Sequence, residues 1–279
     1  MRYAGTSGQK PSSRTPAHLA FAALALALWL ACAPPPVVYA DDAPPPADPS
    51  TPTSTTPTPT VEPTATPSPQ TVVVGRSVRG RAITLVRFGQ GERRILVIGG
   101  LHGNEAGAPV ARAFAAYLSA NPSAIPTGTE IDVLAVANPD GYAKRTRGNA
   151  NRIDLNRNFA SRDWRRLHFG KLTSGKHAGS QPETKAVSRL LERGYLRVVS
   201  LHSKGGFTDG GGRGGVTLAR KVAKAAGIKR VKMSRFGRYP GSLGSYCPER
   251  YPAAAYVVWE LSSRKLTARV RAGLLAAIR

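Results

Sequence analysis

Four short apolar runs constrain this chain more than any other feature: residues 94–100, 130–137, 196–201 and 254–260. Each is rich in Val, Ile or Leu and too short for an ordinary helix, the pattern of a strand buried on both faces. Between them lie apolar stripes at helical spacing, formed by Val110, Phe114, Tyr117 and Leu118, by Leu218 and Val222, and by Leu266, Val270 and Leu274. Ser180-Gln181-Pro182-Glu183 reads as a capping box that opens a further helix running through Leu191. Weaker strand patterns cover 71–78, 81–88 and 229–235. Alternating strands and helices predict one α/β domain built on an open sheet.

The same runs lead directly into polar residues. His102 and Glu105 follow the first, the stretch Asn138 to Asn158 follows the second, and His202 and Glu260 end the third and fourth. In open α/β sheets the crevice beyond the carboxyl ends of the strands is where ligands bind, so topology alone gathers these side chains. Two imidazoles and one carboxylate are a ligand set that catalytic zinc uses while a fourth position stays open. His102, Glu105 and His202 are therefore the expected metal ligands. Glu260 interrupts an apolar strand, and two readings stand: a general base beside the metal site, or a carboxylate paired with Arg264.

Taken in order, Gly-Gly-Leu-His-Gly-Asn-Glu at 99–105, Asn-Pro-Asp-Gly at 138–141, Thr-Arg-Gly-Asn at 146–149, Asp-Leu-Asn-Arg-Asn-Phe at 154–159, Leu-His-Ser at 201–203 and Trp-Glu-Leu at 259–261 resemble the zinc carboxypeptidases of the M14 type. Within that family the resemblance is to the short bacterial forms that trim murein peptides, and it spans about residues 71–279. It implies a mixed central β-sheet flanked by helices on both faces, one zinc ion per chain, and a peptide substrate with a free carboxylate. It further implies that His102, Glu105 and His202 hold the zinc and that Glu260 is the general base. Asp154 would orient a zinc histidine and Arg147 would stabilise the oxyanion. Asn156 and Arg157 would grip the substrate carboxylate, a role suited to a planar guanidinium fork.

Tyr239 resembles the tyrosine that closes over substrate in the family, with Tyr246 a competing candidate, and Leu243 is expected to line the pocket for the terminal side chain. Asn104 stands where digestive members carry a substrate-contacting arginine, so extended peptides are expected to bind differently here. The HGNE and DLNR motifs are also similar to those of N-acyl amino acid deacylases of the succinylglutamate desuccinylase and aspartoacylase type, the enzymatic alternative. A basic wall-binding protein without catalysis is a third reading, which the presence of every required residue disfavours.

Residues 1–40 read as a signal peptide, with basic residues before an apolar segment at 19–33; Cys32 offers a second reading as a lipoprotein signal. Residues 41–70, mostly Pro, Thr and Ser, read as a linker that cannot bury enough apolar surface to fold. A secreted or envelope-associated location follows. Of 40 Lys and Arg against 16 Asp and Glu, three basic and four acidic residues precede residue 71, which leaves the catalytic region with a formal charge of about +25. That charge suits association with anionic cell-wall polymers, or is simply a soluble basic surface. No nucleic-acid-binding motif is present and none of that partnership is expected; the chain is expected to act as a monomer. Cys247 is the only cysteine beyond the leader, so no internal disulfide is expected. The glycine-dense stretch 205–215 lacks the ending of a phosphate loop and reads as a flexible loop bordering the site.

Overall fold

A computed structural model of the protein describes residues 68–203, 205–232 and 239–279. The expected leader, Cys32 and all but the last three residues of the expected linker lie outside the described residues. The architecture is one eight-stranded sheet in the order β1-β2-β4-β3-β7-β10-β8-β9 and a separate two-stranded hairpin, β5-β6. The strands are β1 (Gln70–Arg76), β2 (Ala82–Gly89), β3 (Arg93–Ile98), β4 (Thr129–Leu134), β5 (His168–Phe169), β6 (Leu172–Thr173), β7 (Arg197–His202), β8 (Phe207–Gly211), β9 (Arg230–Lys232) and β10 (Ala255–Glu260). Four central strands, β4, β3, β7 and β10, run parallel, while β1, β2 and β8 pair antiparallel with their inner neighbours. The sheet is mixed, as the family resemblance implied.

Period-two alternation divides the core between the two faces. Ile95, Val97, Val199, Leu201, Val257 and Trp259 join one apolar cluster with residues of α1 (Gly107–Ala120), α4 (Gly215–Ala226) and α6 (Ala268–Ile278). Leu96, Ile98, Val198 and Tyr256 join the other, with residues of α3 (Pro182–Leu191) and α5 (Leu243–Arg250). A short helix, α2 (Pro139–Lys144), is capped by Asn138, whose side chain accepts from the Gly141 N–H.

The connection from β3 runs through α1 to β4 on one side, whereas the chain leaving β7 builds the opposite side of the sheet. The seam between β3 and β7 is thus a topological switch point, and both expected histidines sit at its carboxyl end.

The structure corrects three expectations. Residues 207–211 are no loop: β8 pairs with β10 from Phe207↔Glu260 to Gly211↔Tyr256. The helix over 182–191 forms, but without the capping box. Gln181 occupies the cap position and makes no side-chain cap; Ser180 Oγ instead accepts from Asn158 Nδ2, and the Glu183 carboxylate accepts from Val78 N–H and Asn149 Nδ2. Leu243 does not line an open pocket, because its side chain is wholly buried in the α3/α5 cluster. The strand expected at 229–235 is described over 230–232, its remainder lying outside the described residues.

Candidate metal centre and anion clamp

Glycines make the first loop of the site. Gly100 adopts φ +64°, and a Cβ on Gly103 would collide with the Gly141 backbone, so the turn after β3 folds tightly against α2. This directs His102 and Glu105 back over the end of the sheet. His102 and His202 are each only 2% exposed, and their rings stand 5.0 Å apart.

Both imidazoles turn Nδ1 toward one carboxylate. His102 Nδ1 lies 2.8 Å from Glu105 Oε1 and His202 Nδ1 lies 2.9 Å from Glu105 Oε2. Behind them, His102 Nε2 meets Asp154 Oδ1 at 2.9 Å and His202 Nε2 meets Ser200 Oγ at 3.1 Å. A carboxylate only accepts, so the hydrogen-bond network assigns a proton to His102 Nε2. In a neutral His102 the Nδ1 lone pair then faces the Glu105 oxygen, acceptor against acceptor, which is stable only with a proton or a cation between them. One potential ligand atom from each of His102, Glu105 and His202 lies within 4.8 Å of the others. Borderline nitrogen donors and a hard carboxylate in this arrangement fit zinc.

The electrostatics follow from the same contacts. Burial opposes charge on His102, but its hydrogen bonds to Asp154 and Glu105 outweigh it and raise the pKa above the usual histidine value. Burial likewise opposes ionisation of Glu105 and of Asp154. The histidine contacts prevail, holding both carboxyls well below the usual carboxylate range. Glu260 behaves oppositely: burial raises its pKa and the Glu105 charge adds to the shift, against the pull of His202.

Glu260 is the register partner of His202 in the parallel β7/β10 ladder, so the two side chains leave the sheet side by side. Arg264 is not its partner. That guanidinium donates to the carbonyls of Asn104 and Glu105 at 3.0 and 3.1 Å, clamping the first loop from outside. The ion-pair reading of Glu260 is therefore set aside.

Arg147 reaches into the cage, donating from Nε to Asp154 Oδ2 at 2.9 Å and from one terminal nitrogen to Glu105 Oε1 at 3.2 Å. Its loop is strained on both sides, with Arg145 and Arg152 at φ +54° and +59°. Asn149 holds that loop together: its Oδ1 accepts from the N–H groups of Asn151 and Ile153, and its Nδ2 donates to Gln181 and Glu183. The sequence reading quoted Asn149 only as part of a motif; the pairing across more than thirty residues has no local signature.

Asp154 also accepts from the Asn156 N–H, starting the tight turn Leu155–Arg157. Asn156 Oδ1 accepts from the Leu243 N–H at 2.8 Å, which leaves Nδ2 as a donor with no hydrogen-bond partner among the described residues. Arg157 donates to its neighbour's carbonyl at 2.6 Å, and burial lowers its pKa, an effect Arg147 reinforces, from a starting value so high that the charge remains. The Tyr239 ring centroid lies 5.0 Å from the Arg157 guanidinium carbon and the side chain is 51% exposed. Tyr246 is instead a core residue, stacked on Phe159 at 5.6 Å. Asn104 presents an exposed side chain at the rim.

A mixed sheet carrying a two-imidazole, one-carboxylate cage at its switch point, beside two arginines and an amide donor, defines an α/β protein shaped for one divalent cation and a neighbouring anion. The chain belongs to the zinc carboxypeptidase family, Peptidase_M14, whose profile matches residues 64–207. It is 30% identical over 171 residues to murein peptide amidase A of Vibrio campbellii, covering 56% of this chain and 65% of that protein, so about a third of the relative's length has no counterpart in the alignment. It is 29% identical over 195 residues to murein peptide amidase A of Escherichia coli K12, covering 65% of this chain and 77% of the relative. The crystal structure of murein-tripeptide amidase from Escherichia coli O157 superposes with a TM-score of 0.57 at 26% identity, covering 74% of this chain and 91% of that one.

Proposed function

We propose that this chain is an exported zinc-dependent carboxypeptidase or amidase that hydrolyses the amide bond next to a free carboxylate, with murein-derived peptides as the substrate class. The observation that carries the reading is the adjacency of two differently built sites: the cage of His102, Glu105 and His202, and the clamp in which Asn156 Nδ2 and Arg157 present donors to an anion. An endopeptidase has no need of such a clamp. Zinc bound by the three cage residues supplies Lewis acidity, which makes water nucleophilic at neutral pH and polarises a carbonyl.

The chain's own residues do the rest. Glu260, with its pKa raised by burial, is suited to accept a proton from the attacking water and to pass it to the leaving amine. Arg147 lies where its guanidinium can stabilise an oxyanion, held there through Nε by Asp154. Asp154 fixes the His102 tautomer that leaves Nδ1 free for the metal. Asn156 and Arg157 bind the terminal carboxylate and set the distance from chain end to scissile bond. Tyr239, exposed beside Arg157, is placed to cover it.

The murein assignment draws on the amidase relatives. The expected signal peptide and the basic surface, about +25, agree with an acidic cell envelope as the working location.

Elemental analysis of wild type and His202→Ala, run beside a hydrolysis panel of murein tripeptide, a hippuryl-type dipeptide and N-acyl amino acids, tests the reading. About one zinc per wild-type chain, lost with activity in the variant, supports it. Turnover of the dipeptide alone would remove murein, turnover of N-acyl amino acids alone would replace peptidase by deacylase, and metal-free inactive protein would leave a binding role.

A further inference from the structure

The hairpin β5-β6 was invisible in the sequence, yet it is stitched to every cationic part of the site. Its turn is Gly170-Lys171, with Gly170 at φ +58°, the requirement of the first central position of a type II′ hairpin. Its second strand bonds to the loop that carries the site, through a parallel bridge between Thr173 and Ile153. Thr173 O accepts from the Asp154 N–H at 2.9 Å, and Thr173 N–H donates to Arg152 O at 3.2 Å. Leu172 packs on Gly148, where a Cβ would stand 2.7 Å from Leu172 Cδ2 and 3.0 Å from the Ile153 carbonyl oxygen, so the hairpin and the residue after Arg147 lie in close contact. The hairpin therefore cannot shift without moving the backbone on both sides of Ile153, the residue before Asp154.

From this fixed base the first strand presents Phe169. An aromatic side chain left 39% exposed on a two-residue strand contributes little to a core. Its ring centroid lies 5.9 Å from the Arg157 guanidinium carbon, and the Tyr239 ring lies 5.0 Å from the same atom, both within range of a cation–π contact. One guanidinium nitrogen is already committed to the Asn156 carbonyl, and among the described residues the others have no hydrogen-bond partner and can meet a ligand. Two rings and one hydrogen bond thus restrict a side chain that otherwise loses much rotamer freedom when it binds.

We propose that Phe169 is a positioning residue for carboxylate recognition: its ring, carried by the β5-β6 hairpin, holds the Arg157 guanidinium ready for the free carboxylate of the substrate. This rests on the clamp assigned to Asn156 and Arg157 above. Phe169 touches neither substrate nor metal; it acts through Arg157.

The test compares Phe169→Ala, Phe169→Leu and Phe169→Trp on a peptide with a free terminal carboxylate and on its carboxamide. Phe169→Ala is expected to raise KM for the free-acid peptide about 3- to 30-fold, the span of one cation–π contact, with kcat within about twofold. Phe169→Trp should restore KM. Phe169→Leu, which keeps apolar bulk without a π face, should not, and the carboxamide should be indifferent to all three. The second arm needs no turnover: in the NMR spectrum of the wild-type chain the Arg157 Nε–H resonance is expected to be displaced by ring currents and to move on Phe169→Ala. A KM that Leu restores as fully as Trp, or an Arg157 resonance that Phe169→Ala leaves in place, overturns the inference. Absence of wild-type turnover on every free-acid peptide would instead overturn the proposed activity, and the resonance would then decide the role of Phe169 alone.

Discussion

Replacing Asp154 by Asn isolates how the cage is held. In the wild type Oδ1 accepts from His102 Nε2 at 2.9 Å and from the Asn156 N–H at 2.9 Å, while Oδ2 accepts from Arg147 Nε at 2.9 Å. Asparagine has the same shape and one acceptor oxygen, so it can serve either the Oδ1 partners or Arg147. If its oxygen stays with His102, its amide N–H₂ faces the Arg147 Nε–H, donor against donor, and Arg147 is released. The His102 contact also loses the negative charge that makes the imidazole a stronger ligand. Partners of this kind are worth about 10- to 100-fold in metal affinity, which converts to about 1.4–2.7 kcal/mol. The assay is zinc competition against a chelator of known affinity at pH 7.5, with thermal melting as a check on folding. Arg147→Met is the comparison, because it removes the guanidinium from Asp154 and Glu105 while His102 keeps its partner, and its loss of zinc affinity should be smaller than that of Asp154→Asn. A folded Asp154→Asn protein whose zinc affinity stays within about threefold of wild type would refute the argument that this carboxylate orients the histidine.

Glu260→Gln should retain zinc and lower kcat by about 10²- to 10⁴-fold, the usual weight of a positioned general base; retained activity in a peptide-release assay would exclude Glu260 from the chemistry. The Cys247 thiol, wholly buried, is pushed up to about 12. In a Cys32→Ser chain at pH 8 it should therefore be inert to a disulfide reagent until the chain is unfolded, and one titratable thiol in that native protein would contradict its burial. On the β2/β4 pair, Asp132 is fully buried and accepts two hydrogen bonds from Arg87, at 2.8 and 3.0 Å, and one from Tyr195 Oη at 2.6 Å. Asp132→Ala strands those donors and should cost about 3–5 kcal/mol, lowering Tm by roughly 6–20 °C; a melt within 2 °C of wild type would show that the network contributes little.

The central strands were legible because they are hydrophobic on both faces, and the cage was legible because its members stand at strand ends. What escaped reading escaped for identifiable reasons. The glycines of 205–215 resemble a loop, but Gly210 lies in β8 where a Cβ would collide with the Gly215 backbone, so they record close approach of α4 to the sheet. Helix α5 is concealed by Gly244 and Pro248, and its cap is Ser242, whose side chain accepts from the Ser245 N–H. The apparent capping box at 180–183 has the right residues, yet long-range partners claim both side chains. Asn156 and Arg157 were found as types, whereas the orientation of Asn156 depends on Leu243, far along the chain, and the ring beside Arg157 comes from a hairpin too short to show a period.

The position of β10 has a consequence for how the protein acquires competence. This strand follows β7 and β8 in sequence but lies between them in the sheet, bonded to both. A polypeptide stalled or clipped ahead of it already carries His102, Glu105 and His202, and so has every residue of the cage. It has no Glu260, and a slot stands empty where His202 needs its neighbour. On the proposed mechanism such a fragment is a metal chelator with nothing to move a proton, and hydrolytic power arrives only when the interior strand is threaded home.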